Sequence, residues 1–160
     1  ALGHEFGFSG YVGDHDNSGG TVFGAGFDFF STFGPLELVG EAAFFSVEDS
    51  PGNDVSNHLK GFYVQANYHF WPEFLDDTFL GESFDDPTFT LVSRYGHVFL
   101  EDDGDANIGD NTAQRITLGL NYRPVESWVL KLEYQINQRR NESLERGGDN
   151  GFTASAAMGF

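Results

Sequence analysis

Eight stretches of this chain alternate apolar and polar residues at every second position: about 4–13, 21–33, 36–47, 59–71, 88–100, 113–123, 128–138 and 151–160. An extended strand sends successive side chains to opposite faces, so each stretch predicts a β-strand with one apolar and one polar face. The pair 115–122 and 128–136 alternates without a fault. Ile116, Leu118, Leu120, Tyr122, Trp128, Leu130, Leu132, Tyr134 and Ile136 share one face, and Arg115, Thr117, Asn121, Lys131, Glu133 and Gln135 share the other. The final stretch sets Phe152, Ala154, Ala156, Met158 and Phe160 against Thr153, Ser155, Ala157 and Gly159.

The connections differ in character. The first, third, fifth and seventh, around residues 14–20, 48–54, 101–110 and 139–149, are long, polar and acidic; 32–35 and 123–127 are tight. Long connections at one end and short turns at the other are the layout of an up-and-down barrel that crosses an outer membrane. The connection 72–87 breaks the rule. Its Phe74, Leu75, Phe79 and Leu80 have helical spacing, which leaves a short interfacial helix or an irregular turn tucked under the barrel as alternatives.

The charges discriminate between solvents. Of 25 acids, thirteen fall in the four long connections and seven in or beside the short-side ones. The other five, Glu5, Asp28, Glu37, Glu41 and Glu133, lie on the polar face, with Arg94, Arg115, Arg123 and Lys131. Lys60 falls at a strand rim, and Arg139, Arg140 and Arg146 fall in the last long connection. The apolar face is expected to carry no acid, Lys or Arg. A charge at the lipid midplane costs about 2–4 kcal/mol, so such a face suits hydrocarbon. A soluble sandwich or lipocalin-like barrel would turn the same face inward, where Phe and Tyr at most positions would overfill it. Its polar face would then be a solvent surface, yet that face has small residues such as Gly7, Gly24, Gly26, Gly119, Ser155 and Gly159 in place of Lys and Glu. Trp71, Trp128, Tyr122 and Phe160 gather toward the short-turn end as an aromatic belt at one interface.

A net charge of −17 excludes nucleic acid as a partner. With 18 Phe the chain is too aromatic for disorder, and without cysteine it has no disulfide and no thiolate metal site. No apolar run is long enough for a membrane helix, and no signal peptide is present. An exported form is expected to begin at Ala1 after a cleavage site, or Ala1 is where a longer chain was cut.

The alternating tail ending in Phe160 resembles the terminal signature of Gram-negative outer-membrane barrels. Residues 86–95 (DPTFTLVSRY), 115–124 (RITLGLNYRP) and 130–135 (LKLEYQ) resemble the carboxy-terminal strands of porins similar to the phosphate-selective family, over roughly 60–160. The resemblance implies an all-β, antiparallel transmembrane barrel in the cell outer membrane. Its implied partners are the bilayer, lipopolysaccharide, the barrel assembly machinery through the last strand, and a protein at the loops or barrel wall. The length is about half of what a sixteen-strand pore needs. Two readings follow. One is a complete eight-strand barrel, plugged by its own charges and structural or partner-binding in role. The other is part of a larger porin that passes small solutes or ions.

Asp28, Glu37, Glu41, Arg94, Arg115, Arg123, Lys131 and Glu133 are the candidate site, as a buried ion-pair network in the first reading or a pore lining in the second. Asp103, Asp105 and Asn107 alternate like the start of a calcium loop, but Gly109 comes one position late and Gln114 stands where an acid is needed. A solvated acidic loop is the expectation there. A loosely held calcium or magnesium ion is the second reading, and no other cofactor is expected. Arg94-Tyr-Gly-His97 resembles the approach to the histidine of lipid A deacylases. Phe99 stands where their serine would be, so no enzyme is expected.

Overall fold

The computed structural model describes residues 3–14, 20–47, 58–101, 111–141 and 148–159. They form one antiparallel sheet of eight strands in chain order: β1 (His4–Asp14), β2 (Thr21–Phe33), β3 (Leu36–Val47), β4 (His58–Phe70), β5 (Thr88–Glu101), β6 (Asn111–Arg123), β7 (Trp128–Asn141) and β8 (Gly151–Met158). Each strand pairs with its neighbours in sequence, from β1 with β2 through to β7 with β8. The sheet is open, because β1 and β8 are not paired with each other among the described residues.

Register fixes the two faces, since a slip of one residue would turn every side chain over. Phe8, Phe27, Ala42 and Phe62 form one cross-strand row, and Tyr95, Ile116 and Ile136 belong to another. These apolar side chains do not meet in a dry core. Phe8 is 83% exposed, Phe152 69% and Phe6 65%, and no described side chain is fully buried. The apolar side is therefore built to be covered by something other than this sheet. Asp14, Lys60 and Arg140 share its side-chain parity, but only at the end toward the long connections. Lys60 Nζ there lies 6.0 Å from the Phe44 ring. Arg139 and Arg140 belong to β7 and not to a loop, because the ladder with Thr112 and Ala113 continues past Ile136, where the apolar–polar alternation ends.

The turns follow local chemistry. The β2–β3 hairpin closes on Gly34-Pro35, with Gly34 at φ +61, a value that glycine adopts without steric cost. Residues 72–87 do not make a continuous helix. A 3-10 turn (Glu73–Leu75) and a single helical turn, α1 (Phe79–Glu82), are separated by Asp76-Asp77-Thr78. Those side chains bond elsewhere: Trp71 Nε1 donates to Asp76 Oδ1 at 2.7 Å, and Thr78 Oγ1 donates to the Leu75 carbonyl at 2.7 Å. The Tyr122 hydroxyl donates to the Leu80 carbonyl at 3.2 Å, and Phe84 meets the Tyr122 ring edge-on. Tyr122→Phe is expected to loosen this connection by about 1 kcal/mol, the worth of one hydrogen bond. Limited proteolysis should then cut 72–87 faster, with unfolding of the whole sheet unchanged.

Candidate functional site

Polar side chains of β3 to β7, with Ala43, Val92, Val98 and Ala113 among them, line a concavity of about 560 Å³. Most of its lining comes from alternate residues of each strand, so the register sets the map of the site. Asp28 stands opposite Glu41, Glu41 opposite Tyr63, and Tyr63 opposite Gly96. Gly96 in turn stands opposite Arg115, and Arg115 opposite Asn137. One level toward the short turns, Gln65 faces Arg94, Arg94 faces Thr117, and Thr117 faces Gln135. Glu37 lies opposite Asn67, Glu133 opposite Gly119 and Lys131 opposite Asn121. Arg123 pairs with Thr88 at the short-turn end.

The charges are sorted by strand. On β1 to β3 the polar face holds Glu5, Asp28, Glu37 and Glu41 with no Lys or Arg. On β5 to β7 it holds Arg94, Arg115, Arg123, Lys131 and Arg139, with Glu133 as the one acid whose side chain is described. β4 runs between them with Tyr63, Gln65, Asn67 and His69. Asp28, Glu41, Arg94, Arg115 and Arg123 are exposed, and Glu37, Lys131 and Glu133 are half-buried. Among the described residues none of these Lys or Arg groups comes within 4.0 Å of a carboxylate. Groups that remain in water need no ionic partner, and an exposed pair would gain at most about 1 kcal/mol.

Neutral partners hold two of the cations, Arg94 and Arg115. The Arg94 guanidinium lies 3.9 Å from the centre of the Tyr63 ring. Arg115 Nε donates to Asn137 Oδ1 at 2.6 Å, and Asn137 Nδ2 donates to the Asp149 carbonyl at 2.5 Å. Toward the short turns a polar chain crosses β3, β4 and β5. Gln65 Nε2 donates to Asn67 Oδ1 at 2.9 Å, and Asn67 Nδ2 donates to Glu37 Oε2 at 3.4 Å. His69 Nδ1 lies 2.9 Å from Thr90 Oγ1. Its Nε2 is 3.1 Å from Glu37 Oε2 without hydrogen-bond alignment, so that contact is electrostatic when the ring is protonated. A search of the sequence for charges alone passes over Tyr63, Gln65, Asn67, His69 and Asn137. The parity of β4 and β7 is the signal that places them on the same face as the charges.

Three aromatic-belt residues lie at the short-turn end. Trp71 stacks on Phe89 at 5.6 Å, Phe89 meets Tyr122 at 4.8 Å, and Trp128 is half-exposed opposite Met158. Phe160, Asp103, Asp105 and Asn107 fall outside the described residues. No group of three or more His, Asp or Glu with metal-binding geometry occurs among the described residues. His97 lies on the apolar side, stacked on Phe99 at 3.8 Å.

Comparison with curated proteins gives no match, and comparison with solved structures gives none. A family model described as phosphate-selective porin O and P matches residues 8–160. That span takes in all eight strands, β1 in part, and both the polar concavity and the apolar face on the other side of the sheet. The chain belongs to the phosphate-selective porin O and P family, and with it to the porin-like β-barrel channels of the Gram-negative outer membrane.

Proposed function

We propose that this sheet is wall of a water-filled pore wider than an eight-strand barrel, through which small charged solutes pass. In hydrocarbon a ladder edge cannot stay unpaired, so β1 and β8 must pair either with each other or each with a further strand. Closing the eight strands on one another would leave an interior just wide enough for side chains. Asp28, Glu41, Arg94, Arg115 and Arg123 would then lose their water, and a buried charge without a partner costs several kcal/mol. The observation that carries the proposal is that these side chains stand exposed on the polar face, with no cation among them within 4.0 Å of a described carboxylate. The family's description names phosphate, and the cationic strands β5 to β7 give an anion such as phosphate its path. The acidic connections after β1, β3, β5 and β7 then face the cell exterior, and Trp71, Tyr122 and Trp128 mark the periplasmic interface.

One observation favours the plugged, structural alternative: β1 and β8 run in opposite senses, as direct closure would require. Planar bilayer recordings on the folded chain separate the two readings. Discrete openings of stable conductance are expected. Protein that inserts, resists protease and stays silent would establish the plugged barrel instead.

A further inference from the structure

We infer that the apolar side of β1 to β5 carries a seat for a phosphate-bearing, acylated glycolipid of the outer leaflet, with an acyl chain in a trough between phenylalanines and the phosphate at Lys60. The inference uses the lipid-facing side of the sheet and the outward direction of the long connections, and it holds whether the pore is open or plugged. A second concavity, of about 630 Å³, lies on the side of the sheet opposite the polar one. Ala25 stands opposite Phe44 in its outer row, and Phe27 stands opposite Ala42 in the row beneath. Phe44 in turn stands opposite Lys60, and Ala42 opposite Phe62. The two alanines thus floor a trough that the larger rings wall. Its rows are about 7 Å apart along the strands, so it points from the rim toward the middle of the membrane. Lys60, the third residue of β4, is the one charged residue in the lining and sits half-buried at the long-connection end.

Aromatic neighbours hold the walls in place. Phe27 meets Phe8 at 5.0 Å, Phe44 stacks on His58 at 6.0 Å, and Phe99 stacks on His97 at 3.8 Å. These contacts oppose a collapse of the rings over the alanines. Charge then selects the occupant. Among the strand residues whose side chains are described, Asp14 is the one acid on the apolar side, and it lies two rows further out than Ala25. A second copy of this protein, docked by the same side, brings no other described carboxylate to Lys60. A phosphate-bearing lipid brings both an anion at the height of the rim and an unbranched chain for the trough. The protein as a whole carries −17 and repels phosphate, so the local cation and the trough must act together.

Native mass spectrometry of the folded full-length protein in a neutral detergent tests this with two probes, phosphorylated lipid A and the same lipid after dephosphorylation. EDTA is present throughout, to remove attachment through divalent ions at the acidic connections. The phosphorylated lipid is expected to be held about fivefold more tightly, the scale of one basic side chain acting on an anionic lipid at a membrane surface. Lys60→Gln should abolish that difference. Arg140→Gln removes a charge from the same side but outside the trough, and should leave the difference intact. Ala42→Phe fills the trough, keeps Lys60 and should weaken retention of both lipids. Each variant should insert into phosphatidylcholine vesicles as the unaltered protein does, which separates loss of the seat from loss of folding. Equal retention of the two lipids by the unaltered protein, or equal losses from Lys60→Gln and Arg140→Gln, would overturn the inference. So would an oligomer of the protein that Ala42→Phe dissociates, because a second copy would then cover the trough. Failure of the unaltered protein to insert into vesicles would remove the lipid-facing assignment and this inference together.

Discussion

Leu118→Arg is expected to weaken folding into a bilayer by about 2–4 kcal/mol, the cost of a cation on the hydrocarbon-facing side near the middle of a barrel strand. Leu118 lies midway along β6, between Ser93 of β5 and Tyr134 of β7, and is 51% exposed on the apolar side. The comparison is Gln135→Arg, in a neighbouring row of the same strands but on the polar face. There the guanidinium remains in water among other polar groups, and a surface change of this kind stays within about 0.5 kcal/mol. Urea titrations of both variants in phosphatidylcholine vesicles, read by tryptophan emission, measure the difference. Equal costs for the two substitutions would mean that the two faces meet the same solvent, and the assignment of the apolar face to lipid would fail.

The sidedness that this comparison exploits was readable from period alone. All eight strands lie within a few residues of their expected bounds, because an alternating pattern favours a strand once one face is apolar over most of its length. The ends were less legible. Arg139 and Arg140 read as loop because the alternation ends at Ile136, yet the backbone ladder with β6 continues through them and brings Arg139 to the edge of the concavity. The helical spacing of Phe74, Leu75, Phe79 and Leu80 was real but did not make one helix, because Asp76 and Thr78 take their hydrogen bonds locally. The sorting of acids to β1–β3 and bases to β5–β7 follows from chain order and parity alone. What pattern could not reveal is the register, which aligns Glu41, Tyr63 and Arg115 at one level. Nor could local alternation say whether β1 and β8 pair with each other, since that contact spans the whole chain.

Gly40→Val is expected to cost about 1–3 kcal/mol, the range for forcing extra carbon into a packed site. Gly40 sits on β3 opposite Phe29 of β2, and the Phe29 ring lies across it, leaving the glycine buried on a side where most neighbours are exposed. A Cβ at this position would run into the Phe29 ring, with the Tyr63 carbonyl oxygen 3.0 Å away on the other side. The ring can rotate, but the carbonyl belongs to the β4 ladder and cannot move without breaking it. An aromatic ring over a glycine covers backbone that would otherwise be bare, and it helps to fix the register of the two strands. Removing the ring should therefore relieve much of the strain. In a double-mutant cycle, Phe29→Ala and Gly40→Val together should cost about 1 kcal/mol less than the sum of the two single changes. Urea midpoints for the four proteins in one lipid measure that coupling. Strictly additive costs would show that the ring does not rest on the glycine, and that the carbonyl of β4 alone sets the limit on what position 40 can hold.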